Sequence, residues 1–217
     1  MKMLWYAAYG SAVNRDRFLD FIRGGRSQFD GATYPGCRNG QEPVRDCAIA
    51  ISREMYFAKM STGWGGAVAF LRPEISTTRT LGRAYLVTAE QFADVACQLN
   101  GHHPGDPDMR FDYDYAARNT EAHFSAADPS RPAGPVPKWY GRILRIGARE
   151  SRPIFAITGE WQGYGDVNAP GRAYVRCTGD GIRQLGRISD RALAEYFISK
   201  AGIHNRISRP VLERWLA

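Results

Sequence analysis

The run Leu4-Trp5-Tyr6-Ala7-Ala8-Tyr9 is unbroken aromatic and apolar sequence, and Gly10-Ser11 ends it. A short, aromatic-rich run closed by a glycine reads as a buried strand. A helical pattern starts almost at once. Phe18, Phe21 and Ile22 recur at helical spacing within about 14–22, and Gly24-Gly25 stops it. A strand fed through a tight turn into a helix places the helix's first, unpaired amides at the strand's end. An anion or a carbonyl oxygen can dock there. A glycine at the turn lacks Cβ and lets another group come close to the backbone. Tyr9, Gly10, Ser11, Ala12 and Val13 are therefore candidate binding residues.

The rest of the chain does not alternate strand and helix regularly, which argues against a doubly wound sheet. Residues 28–44 are rich in Gly, Pro and Asn and read as loop. Strands are predicted over 54–60, 67–71 and 81–88, with a turn at Ser61-Thr62-Gly63-Trp64-Gly65-Gly66. Thr88 can cap a helix whose Phe92, Val95, Ala96 and Leu99 form one apolar stripe. Residues 101–137 are polar and rich in Pro, Asp and Gly. So long a loop is read as a lid or binding segment, since Phe111, Tyr113, Tyr115 and Phe124 offer apolar area to bury. Strands over 139–146 and 152–158 follow, then helices over 171–185, 189–201 and 208–216. The predicted class is α+β: a small mixed barrel or curled sheet with flanking helices, over 1–160, plus a helical C-terminal extension over 161–217.

The chain has 217 residues, 44% of them hydrophobic and 12% aromatic, enough for one domain with a sizeable core. No apolar run suits a membrane span, and the N-terminus lacks a signal peptide's pattern, so a cytoplasmic protein is expected. The net charge of +7 comes almost wholly from scattered arginines. Without a dense basic block or a known reader motif, nucleic-acid binding is disfavoured. Cys37, Cys47, Cys97 and Cys177 form no C-x-x-C pair and are expected as reduced thiols. Cys97 with His102 and His103 lacks a fourth ligand at useful spacing, so no metal and no cofactor is expected.

The turn Tyr9-Gly10-Ser11-Ala12-Val13, followed by Arg17-Phe18, resembles the opening of the γ-glutamylcyclotransferase family. Trp64-Gly65-Gly66-Ala67 is similar to that family's Trp-x-Gly-Gly turn. The strand over 81–88 and the helix through Gln98 occupy the place of the elements that carry its catalytic glutamate. Tyr140 resembles a pocket tyrosine, and the helical tail looks like an extension in some bacterial relatives. The resemblance covers about 4–160. It implies a pocket for an amino-acid-like, γ-glutamyl-type molecule, formed by Tyr9 through Val13 with Gly65, Gly66, Gln98 and Tyr140. It also implies a reaction: the glutamyl amine attacks its own γ-carbonyl, a lactam forms, and a glutamate carries the proton.

Two departures matter. Ala12 stands where the family has Asn, and Gln98-Leu99-Asn100-Gly101, the glutamate's place, contains no carboxylate. Asp106, Asp108, Asp112 and Asp114 lie on the nearby loop. Glu160, beside Trp161, is the preferred substitute, with His102 second and Asn100 at the family position. Three functions are open at this point. The first is an enzyme that cleaves, cyclises or transfers an amide, in a specialised biosynthetic pathway, with a relocated acid/base. The second is a silent small-molecule binder of the same fold. The third is a basic interaction or nucleic-acid-binding module. Oligomeric state is not readable.

Overall fold

A computed structural model describes residues 1–126, 139–161 and 166–217. In chain order, β1 (Met3–Ala8) runs into a 3-10 turn (Ser11–Val13) and α1 (Arg15–Arg23). The short strands β2 (Gly25–Arg26) and β3 (Thr33–Tyr34) form a small hairpin. They are followed by β4 (Arg45–Ile51), β5 (Met55–Ser61), β6 (Gly66–Leu71), β7 (Thr80–Thr88) and α2 (Ala89–Leu99). Next come α3 (Tyr113–Arg118), β8 (Glu121–His123), β9 (Arg142–Arg149) and β10 (Arg152–Thr158). The chain ends in α4 (Arg172–Arg183), α5 (Asp190–Ile198) and α6 (Arg209–Leu216).

The main sheet has six strands in the order β4-β7-β1-β10-β9-β8. β1 pairs parallel with β10 and antiparallel with β7, so both of its edges are filled. Both of its faces are covered as well, with Trp5, Ala7 and Tyr9 in one core and Leu4, Tyr6 and Ala8 in the other, which explains why its sequence is apolar throughout. The local signals act as read. Asn14 caps α1 by accepting from the Asp16 and Arg17 amides at 3.0 and 3.3 Å. Thr88 and Gln91 form a reciprocal capping box at the start of α2.

The α+β class is as expected, but the described residues form no closed barrel. The hairpin β5–β6 stands apart from the main sheet, and side chains tie β6 to the molecule where a strand ladder would close it. The Leu71 amide donates to Thr158 Oγ1, which donates back to the Leu71 carbonyl, both at 2.8 Å. The Ala69 amide donates to the Tyr174 hydroxyl at 3.0 Å, and the Tyr140 hydroxyl donates to the Ala69 carbonyl at 3.1 Å. Two tyrosines and a threonine hold the hairpin off the sheet and leave a hollow between them.

The stretch predicted as a long loop contains α3 and β8. Phe111 and Phe124 there pack on Phe92 and Phe155, with ring centroids 4.8 to 6.0 Å apart. The remainder of the expected lid, 127–138, lies outside the described residues. Arg45–Ile51, unassigned from sequence, pairs with β7 along its whole length as an edge strand. The C-terminal helices share one core with β5 and β6: Tyr174, Phe197 and Leu212 are buried in it. No described helix is long and apolar enough to cross a membrane.

Candidate functional site

The hollow between β6, the Gly10-Ser11 turn and the end of α2 has a volume of about 410 Å³. A small metabolite fits such a space. Tyr9, Gly10, Ser11, Ala12, Gln98 and Tyr140, among the predicted binding residues, line it. Val13, Gly65 and Gly66 do not. Val13 is sealed in the core, where its carbonyl accepts from Arg83 Nε at 2.9 Å. A Cβ on Gly66 would fall 2.3 Å from the Gly171 amide nitrogen, so this glycine serves contact with the C-terminal segment. The tryptophan of the same turn, Trp64, faces the hollow instead.

None of the predicted catalytic residues lines the hollow. Glu160 is 39% exposed, and its Oε1 lies 3.6 Å from His123 Nδ1. His102 Nδ1 is 2.9 Å from Asp106 Oδ2. The Asn100 side chain is committed to structure. Its amide group donates to the Ala96 and Tyr140 carbonyls at 2.9 and 3.1 Å, and its oxygen accepts the Tyr140 amide at 2.9 Å. Asn100 thus clamps Tyr140 in place, while its neighbour Leu99 faces the hollow.

Sequence reasoning missed the charged part of the site. Among the described residues, Arg17 and Asp30 are the only charged ones lining the hollow, and their side chains are 2% and 5% exposed. Arg17 Nη2 donates to the Tyr34 hydroxyl at 2.6 Å and to Asp30 Oδ2 at 3.2 Å. The Tyr34 hydroxyl donates to the same Asp30 oxygen at 2.6 Å. Arg17 also sits 4.2 Å from the Phe21 ring centroid and 4.5 Å from that of Tyr34. The two lining charges are opposite, and Asp20, outside the lining, brings its Oδ2 within 3.6 Å of Arg17 Nη1. Arg17 was visible beside the turn motif. Asp30 and Tyr34 lie on the β2–β3 hairpin, in a segment that composition marks only as loop.

The second unforeseen residue is Tyr174 of α4. A Cβ on Gly10 would meet the Tyr174 hydroxyl at 2.3 Å. The close approach that the glycine permits is therefore made by the protein's own phenol. Burial pushes the Tyr174 hydroxyl up, and hydrogen bonds from the Ala69 and Ser11 amides oppose the shift. Burial likewise raises Tyr9 and Tyr140, whose hydroxyls donate to the Ile157 and Ala69 carbonyls. Behind the turn, Cys177 Sγ lies 3.6 Å from the Ser11 carbonyl oxygen, and burial pushes its thiol up to about 12.

The first strand of this mixed sheet ends at a Gly-Ser turn over a pocket, and a hairpin stands off the sheet; solved structures identify the fold as γ-glutamylcyclotransferase-like. The chain has that fold. A solved γ-glutamyl cyclotransferase superposes over 99% of this chain and 98% of its own, with a TM-score of 0.52 and 11% identity. A solved but uncharacterized protein from Homo sapiens covers 100% of both chains, with a TM-score of 0.50 and 12% identity. At these identities the likeness establishes the fold. No family model matches the sequence. Histone deacetylase 5 of Arabidopsis thaliana is 29% identical over an alignment of 220 positions that covers 96% of this chain. The chain spans 31% of that curated relative's length.

Proposed function

We propose that the chain is a small-molecule binding protein on the γ-glutamylcyclotransferase-like fold, taking an amino-acid-derived amide without forming a lactam from it. One observation carries this reading. At the end of α2 the residues that face the hollow are Gln98 and Leu99, neither of them a carboxylate, and the only carboxylate lining it among the described residues, Asp30, already accepts from Arg17 and Tyr34. A leucine has no proton to move, and the Asp30 carboxylate is engaged by Arg17 and Tyr34. The aromatic walls and neutral polar groups suit a ligand that is part apolar and part amide. The activity named for the Arabidopsis relative belongs to a protein of which this chain matches under a third, and it forms no part of the reading.

A second reading keeps amide chemistry. Asp30 is the one lining residue able to take a proton once its partners shift, so it replaces Glu160 and His102 as the candidate base. Calorimetry with γ-glutamyl dipeptides and amino-acid amides, followed by assay for 5-oxoproline, separates the two. Binding without product is expected, with product appearing in Leu99→Glu, which returns a carboxylate to the hollow. Wild-type turnover that Asp30→Asn lowers tenfold or more favours the second reading. Binding of none of these compounds overturns both.

A further inference from the structure

The Ala69 amide in β6 donates to the Tyr174 hydroxyl at 3.0 Å, and that oxygen stands against the Gly10-Ser11 turn, where the Ser11 amide and hydroxyl act on it too. Fixed amides aimed at one point form a cradle for a carboxylate or carbonyl oxygen, and in a dry site they favour negative charge strongly. Here a side chain of the protein fills the cradle. Tyr174 is 3% exposed, and it is braced edge-on by Trp64 at 5.0 Å and by Phe57 at 6.2 Å. Its rigid ring cannot swing aside without disturbing that packing. The other charges at the hollow, Arg17 and Asp30, are opposite in sign.

We propose that Tyr174 is a specificity-determining residue: its hydroxyl occupies the two-amide cradle, so the cavity rejects carboxylates there and takes a neutral carbonyl group. This rests on the binding function proposed above and narrows its ligand class. The physical reason is a subtraction. A carboxylate entering this end of the hollow loses its water shell, and both amide donors that would replace that shell are already taken. A neutral amide gives up far less hydration, and one phenolic O–H is donor enough for its carbonyl. Removing the Tyr174 oxygen returns both amides to the cavity with room for one ligand oxygen.

The test uses acetate and acetamide, matched in size and different in charge, titrated into wild type, Tyr174→Phe and Tyr174→Leu. The readout is the amide resonances of Ser11 and Ala69. In both variants acetate should shift these two amides and bind at least tenfold more tightly than to wild type, with acetamide changing much less. Phe keeps the ring packing, and Leu removes the oxygen with a different shape, so a folding failure of one leaves the other to report. Acetate that binds wild type as well as the variants overturns the proposal, as does acetate that leaves the two amides unmoved in a folded variant. These probes report on the cradle alone. Failure of γ-glutamyl compounds to bind wild type would strike the proposed function and leave the cradle result standing.

Discussion

Gly10 illustrates how much one atom decides at the residue scale. An alanine there puts its Cβ 2.3 Å from the Tyr174 hydroxyl, whereas the next neighbours, Ala69 Cβ and Tyr174 Cζ, lie at 3.3 and 3.4 Å. Gly10→Ala should therefore cost about 1–3 kcal/mol by overpacking. Most of that loss should disappear when Tyr174→Phe is added. Denaturant melts of the four proteins in this double-mutant cycle check the coupling, and strict additivity would place the phenol elsewhere. The sequence shows the glycine and the turn but not the atom that needs the space. The glycine's partner is a tyrosine on a distant helix, and Ala69 meets that tyrosine across 105 positions. Asn100 teaches a similar lesson. It lies within 98–101, where the sequence resemblance implied a catalytic glutamate, and its side chain is spent on both backbone groups of Tyr140. Which of two adjacent residues faces the hollow depends on how the helix ends, and a sequence pattern does not fix that.

Elements were the more legible scale wherever the signal was local. The Thr88 cap starts its helix as read, and Asn14 and Ser189 cap theirs in the same way. The apolar stripe of α2 packs on the sheet through Phe92, Val95 and Ala96. The edge strand β4 escaped because its partner is β7, far away in sequence, and its outer residues are exposed. Of the barrel and the curled sheet that the sequence left open, the described residues form no closed barrel, for a related reason. Closure depends on whether neighbouring strands share backbone hydrogen bonds, and here side chains of Thr158, Tyr140 and Tyr174 take those bonds. The position of α4 depends on Gly181, whose added Cβ would lie 2.2 Å from the Asn14 nitrogen. An exposed helical glycine changed to alanine gains about 1 kcal/mol of helix propensity. At Gly181 the backbone contact should outweigh that gain. Gly181→Ala should lower the melting temperature and weaken protection of the Ser11 amide in hydrogen exchange, since α4 carries Tyr174 away from the turn.

Two apolar cores, with many phenols inside them, hold the described residues together. Burial raises the hydroxyls of Tyr9, Tyr85, Tyr140 and Tyr174 above their ordinary value of 10.0. Above that pH the unfolded chain releases phenolic protons that the folded chain keeps, so stability present below pH 10 is lost as the pH rises further. Lys200 works in the opposite sense. Burial lowers its pKa, so the penalty for holding its charge fades as the pH climbs toward 10.5. The tyrosines outnumber it. Alkaline titration should give one cooperative transition in which tyrosinate absorbance and loss of far-ultraviolet dichroism coincide. Tyrosinate appearing well before the structure melts would mean that the phenols are reachable by solvent.

The placement of Cys177 has a consequence for watching this protein move. Its sulfur lies against the back of the Gly10-Ser11 turn, and at pH 7 almost none of it is the reactive thiolate. Alkylation there must wait for α4 to lift away from the turn. The slow labelling of that one thiol is thus a clock for how often the C-terminal helix and the first strand part company.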